Sequence, residues 1–146
     1  MFFSKSFGYA LRGILYVALA GNQKQRIQVD EIARELAVPK HFLSKVMKKV
    51  VKHGVLNSTK GPYGGFSLNG KTLCTPLFDL MIITNGDAQF ENCLLRLTKC
   101  NATYPCPLHH KMEAYKAELH SLFTSTTIGD LLNVNQPDFI KSIATL

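Results

Sequence analysis

Apolar residues recur with a helical period over most of the first half of the chain. Tyr9, Leu11, Ile14, Leu15, Val17, Ala18 and Leu19 crowd residues 7–20 almost all round. They predict a buried first helix that needs cover on several sides, part of it from a second subunit. Gly21 and Asn22 end it. Residues 29–37 read as a short amphipathic helix, with Val29, Ile32, Ala33 and Leu36 inward and Asp30, Glu31, Arg34 and Glu35 outward. Val38 is the expected turn, and Pro39 suits the first position of the next helix. Over residues 39–53, Leu43, Val46, Met47 and Val50 repeat at i, i+3, i+4, i+7 and mark a core face. His41, Ser44, Lys45, Lys48 and Lys52 fall on the other side. After Gly54, residues 55–59 are strand-like, residues 60–65 form a Gly/Pro-rich turn, and residues 66–68 return as a second strand.

The second half is patterned differently. Residues 75–84 predict a helix with Leu77, Leu80, Met81 and Ile82 apolar, stopped by Asn85-Gly86. Residues 87–106 keep no period and read as an exposed loop. Residues 107–125 predict a long helix in which Met112, Tyr115, Leu119 and Leu122 alternate in three- and four-residue steps. That is the spacing of a helix seam and predicts pairing with a second copy of the chain. Thr127 and Asp130 have capping-box spacing for a short helix through Leu132. Another short helix is expected from Pro137. The expected class is mainly α with one small β hairpin, organised as residues 1–72 and residues 73–146.

Charge divides the chain at the same place. Of a net +7, residues 1–72 carry twelve Lys/Arg against three Asp/Glu, and residues 73–146 carry five against seven. The basic balance belongs to the first part alone and points to a polyanionic partner for it. The apolar fraction of 46% suits a globular protein of 146 residues, which has length for one domain with an appendage. Residues 13–20 superficially resemble the apolar core of a signal peptide, but Arg12 interrupts the run and the stretch is too short to span a bilayer. A cytoplasmic protein is therefore expected, with its four cysteines reduced or metal-bound rather than paired as disulfides.

A short helix, a tight turn and a second helix with a cationic outer face form the helix-turn-helix pattern, and a hairpin directly after it reads as a wing. A solvated lysine face is the competing explanation. In the DNA reading Lys40, Lys45, Lys48, Lys52 and Lys60 meet phosphates, while His41 and Ser44 are candidates for base edges. Tyr63 and Gly64 are the wing contacts. A nucleotide-binding glycine loop fails, because no GxGxxG or Gly-Lys-Ser/Thr pattern leads into a helix.

Cys93, Cys100 and Cys106 have six and five residues between them, and His109 follows three after the last. Three thiolates and one imidazole complete four ligands for a soft metal centre, either a two-iron or four-iron cluster or a zinc ion. Neither Cys-x-x-Cys nor His-x-x-x-His is present, which weakens zinc. A disulfide or inert thiols are the remaining readings. His110 is an alternative to His109, since on a helix the two diverge by about 100°. Cys74 stands apart and is expected to be a small buried hydrophobe.

These features together resemble the IscR/NsrR-type winged-helix regulators of bacteria. The resemblance rests on Tyr9-Ala10-Leu11-Arg12 in the first helix, Gly61-Pro62-Tyr63-Gly64-Gly65-Phe66 in the wing, the three-cysteine loop and the long helix ending near Thr127. It implies a homodimer on a palindromic duplex operator, not an enzyme, with an iron–sulfur cluster held at Cys93, Cys100 and Cys106. For the fourth ligand it implies His109 by way of Cys-x-x-His. Some nitric-oxide sensors of this type use an acidic residue of the first helix, but this chain has Gly8 there. The expected function is transcription regulation that reports cluster status, nitric oxide or redox state. The alternatives are a winged-helix regulator with structural zinc or free thiols, and an iron–sulfur electron-transfer protein that binds no DNA.

Overall fold

A computed structural model describes residues 4–85, 90–96, 98–133 and 138–144. Gly86 and Pro137, expected as a helix stop and a helix start, lie outside the described residues. The elements run α1 (Lys5–Ala20), α2 (Val29–Leu36), α3 (Lys40–Lys52), β1 (Asn57–Thr59), β2 (Gly65–Ser67), a single 3-10 turn (Thr72–Cys74), α4 (Leu77–Asn85), α5 (His109–Ser125), α6 (Ile128–Leu132) and α7 (Phe139–Ile143). This is the mainly helical architecture with one hairpin that the hydrophobic pattern predicts.

Helix α1 starts where Ser4 caps it, its hydroxyl accepting the Phe7 N–H at 3.2 Å. Its apolar girdle is covered within the chain by α2, α3, α4, α6 and β2. Ala10 and Ile14 are fully buried, and they join Leu36, Leu43, Met47, Leu80, Met81 and Ile128 in one core. Side chains from both ends of the chain thus share that core. Burying apolar surface at about 25 cal/mol per Å² is what holds these short helices, which would not persist alone.

Three local expectations are corrected. The turn between α2 and α3 is made by Ala37 in the left-handed region (φ 53°), while Val38 is buried. Ala37 is held there by its N–H, which donates to the carbonyls of Ala33 and Arg34. Pro39 is the extended cap of α3, one residue earlier than expected. Cys74 is exposed rather than buried, because the 3-10 turn aims Thr72 inward instead. The Thr72 hydroxyl donates to the Val55 carbonyl at 2.5 Å and so ties this turn to the end of α3.

The strands pair antiparallel, Asn57 with Ser67, Ser58 with Phe66 and Thr59 with Gly65. Ile27 adds a single antiparallel bridge to β2, exchanging both backbone hydrogen bonds with Phe66 at 2.8 and 2.9 Å. That bridge anchors the base of the hairpin to the segment entering α2. The Thr127–Asp130 capping box on α6 is formed as expected.

Candidate functional site

Helix α3 is amphipathic because Leu43, Val46, Met47 and Val50 are buried while its lysines are not. Lys40, His41, Lys45, Lys48 and Lys52 are exposed, and Ser44 is half-buried on the side facing the hairpin. The first turn of α3 holds no acidic residue. Lys40 is the exception among these cations, because its Nζ pairs with Asp30 at 2.5 Å. The pair braces α2 against α3 and partly neutralises that lysine.

The hairpin stands beside this face. A groove of about 400 Å³ between α3 and the hairpin is lined by Ser44, Lys48, Ser58 and Gly64, with Asp30 at one edge. At the hairpin tip Lys60 is exposed and Tyr63 is 88% exposed, so both project where a partner could meet them. The Gln28 amide donates to the Pro62 carbonyl at 2.9 Å, which fixes the tip relative to α2. Gly64 differs from its neighbours. It is buried and its N–H donates to the Gly61 carbonyl at 3.0 Å. A Cβ there would lie 2.0 Å from the Thr59 carbonyl oxygen, so glycine is required for the turn itself.

Two further residues of α3, Phe42 and Lys49, are exposed and were not expected at the site. With Lys5 and Tyr9 of α1 and with Lys45 they line a second groove, of about 650 Å³, on the other flank of α3. Lys49 could have been found, because it falls within the exposed arc of α3; Phe42 carries no charge and gives no such signal.

Cys93, Cys100, Cys106 and His109 all line one cavity of about 350 Å³, together with Phe90, Met112 and Lys116. Local pairing gathers them. Asn92 and Lys99 form an isolated antiparallel rung, the Cys93 N–H donates to Thr98 O at 2.6 Å, and the Cys100 N–H donates to Glu91 O at 2.8 Å. Cys106 is joined to α5 by the His109 N–H, which donates to the Cys106 carbonyl at 3.0 Å. Phe90 stacks with Phe78 and meets Phe123 and His120 edge-on, so an aromatic cluster links the cavity to the core. The loop is therefore not simply exposed: Cys93 is buried and the other two thiols are half-buried. The Cys93 thiol is held below the usual thiol range, first by backbone hydrogen bonding from Arg96 and also by the Cys106 side chain, against the opposing effect of burial.

The donor set suits a soft metal centre. Three sulfurs at about 2.3 Å around one zinc ion would be about 3.8 Å apart. Among the described residues, the ligand atoms that all lie within 4.8 Å of one another are those of His109, His110 and Glu113, not those of the three thiols. A side chain at Gly8 would meet nothing within 4 Å, so its lack of a ligand is a matter of residue type rather than space.

Comparison with known proteins follows the same lines. A profile of the Rrf2 family, described as an iron-dependent transcriptional regulator, matches residues 3–134. A helix-turn-helix-type transcriptional regulator of Aquifex aeolicus is 39% identical over 138 residues, covering 93% of this chain and 94% of that protein. The structure of CymR, the global cysteine regulator of B. subtilis, is similar with a TM-score of 0.69 at 19% identity, over 88% of this chain and 94% of CymR. That of T. potens IscR is similar with a TM-score of 0.64 at 16% identity, over 92% of each chain. At these identities the two structures speak for the winged-helix fold alone. Among the described residues no helix is long and apolar enough to cross a membrane.

Proposed function

This chain belongs to the Rrf2 family of transcriptional regulators, which are not enzymes, and from that premise we propose that it is a homodimeric DNA-binding regulator whose signal is read by an iron–sulfur cluster at Cys93, Cys100, Cys106 and His109. One observation carries this reading: three thiols and an imidazole open on a single cavity whose wall is α5. Two partners are implied, a palindromic duplex and a second copy of the chain.

Lys45, Lys48, Lys52 and Lys60 neutralise phosphates and set the orientation of the duplex. His41 and Ser44 lie in the first two turns of α3, where side chains of a recognition helix reach base edges in the major groove. Lys40 contributes less, because Asp30 already holds it. Tyr63 at the wing tip adds a contact along the backbone or the minor groove. When bound, the cluster supplies a soft, redox-active centre whose gain, loss or modification is the signal. Ordering of residues 93–109 on that centre bears directly on α5, which begins three residues after Cys106. Tyr115 and Leu122 of α5 point to solvent and offer a surface to a second subunit. A change at the cysteines then alters the spacing of two recognition helices, by no more than the difference in stabilisation of the two forms.

The test is purification without oxygen, followed by iron analysis and a gel shift at fixed salt. A coloured, iron-containing protein that binds duplex, and whose binding responds to nitric oxide or oxygen, is expected. Cys93→Ala, Cys100→Ala or Cys106→Ala should abolish both colour and response. A colourless, iron-free protein overturns the cluster, and indifference to every duplex overturns the DNA role.

The contact between the Cys93 and Cys106 side chains supports a second reading. In metal-free protein a peroxide could join the two sulfurs as a disulfide, with two electrons and two protons passing to the peroxide to give water. Iron analysis separates the two, since only the first requires metal.

A further inference from the structure

We propose that Lys116 is the positioning residue of the cysteine cavity: its ammonium clamps both arms of the loop to α5 and supplies positive charge to the sulfur of Cys100. The inference rests on the cluster reading and goes beyond it, since Lys116 is not a ligand.

The position itself is unusual. His109, Met112, Lys116, Leu119 and Phe123 form the inward stripe of α5, spaced three and four residues apart. All five are half-buried or buried, and a lysine is out of place among them. Its Nζ donates to the Asn92 carbonyl at 2.6 Å and to Cys100 Sγ at 3.3 Å. Asn92 belongs to one arm of the Asn92–Lys99 rung, and Cys100 directly follows the other. One ammonium on α5 thus grips both arms at once.

Charge sharpens the point. Among the described residues no carboxylate pairs with Lys116. Lys99, also lining the cavity, is paired with Glu91 at 3.1 Å, and Glu113 lies 4.0 Å from His110. A half-buried ammonium whose hydrogen-bond partners among the described residues are a carbonyl and a cysteine sulfur is under-compensated. An anionic, metal-ligating sulfur at Cys100 completes it. Charge-assisted hydrogen bonds to ligand sulfur also favour the reduced form of a cluster and slow its loss.

The experiment compares Lys116→Met, Lys116→Gln and Lys116→Arg with the unsubstituted protein, all loaded with iron and sulfide without oxygen. Lys116→Met should still take up iron, but bleach in chelator about tenfold faster, with a lower reduction potential. Lys116→Arg should restore both. Lys116→Gln, which keeps a donor without charge, should show the lowered potential, and it carries the test if the Met variant does not fold. Equal bleaching rates and equal potentials in the unsubstituted, Met and Gln proteins overturn the proposal. If the unsubstituted protein takes up no iron, the cluster reading itself fails. The clamp is then judged by amide hydrogen exchange at Cys93 and Cys100 in metal-free protein: faster exchange in Lys116→Met supports it, and unchanged exchange overturns it.

Discussion

Replacing Gly65 by alanine should unfold the base of the wing, and the size of the effect can be worked from its surroundings. Gly65 has φ +139°, a conformation that costs an L residue about 1–3 kcal/mol. A Cβ there would lie 2.6 Å from the Ile27 carbonyl oxygen, 2.7 Å from its carbon and 3.0 Å from its nitrogen. All three are backbone atoms, so no side chain can swing aside. Relief requires parting Ile27 from Phe66 and losing their two hydrogen bonds, at about 1 kcal/mol each. Gly61→Ala is the internal control, since Gly61 also has positive φ (+105°) but a Cβ there meets nothing within 4 Å. Gly61→Ala should therefore cost only the torsional share, about 1–3 kcal/mol, and Gly65→Ala about 3–5 kcal/mol. Urea unfolding of both variants measures the difference, and thermal melting should separate them by about 4–8 °C for about 2 kcal/mol. Gly65→Ala should also weaken duplex binding more than Gly61→Ala. If Gly65→Ala is no less stable than Gly61→Ala, the Ile27–Phe66 anchor does not hold the wing and the reasoning fails.

Lys45→Ala and Lys48→Ala should each weaken binding to all duplexes alike and lower the slope of log affinity against log salt by about one, read by fluorescence anisotropy across a salt series. Leu122→Glu should shift the protein towards a monomer in sedimentation velocity, since Leu122 is exposed on α5 and a carboxylate there opposes apolar pairing. Tyr16 gives an alkaline signature. Its burial, reinforced by the hydrogen bond its hydroxyl donates to Glu31 at 3.1 Å, pushes the phenol up to about 12 from its ordinary 10.0. The stabilisation is fully present below pH 10 and is lost as pH rises through about 12, because in that interval the unfolded chain releases the proton first. Tyr16→Phe should make the loss of stability between pH 10 and 12 shallower in pH-dependent urea unfolding.

Helices α2 and α3 could be read from the chain because each carries its apolar residues at a fixed period, and burial of that stripe is what selects the helix. Leu43, Val46, Met47 and Val50 define α3 wherever it packs, and its lysines then have only one side to occupy. The Thr127–Asp130 cap was visible for a similar reason, since it joins residues three apart. Ala37 was not, because alanine has no intrinsic preference for a left-handed turn and takes it only under the pull of the helix before it. The seam read into α5 also divides. Met112 and Leu119 pack within the chain, while Tyr115 and Leu122 face out, because the loop and α4 claim one side of the helix first.

What the order of residues decided alone was the spacing of the three cysteines, the cationic face of α3 and the Thr127–Asp130 cap, each a matter of spacing within a few positions. The folded chain decided which of these meet. Lys116 lies sixteen residues from Cys100 and twenty-four from Asn92, and no local rule pairs them. Only packing the loop against α5 brings a half-buried charge beside the sulfur, because long-range contacts are set by the shape of the whole core rather than by any periodicity along the chain.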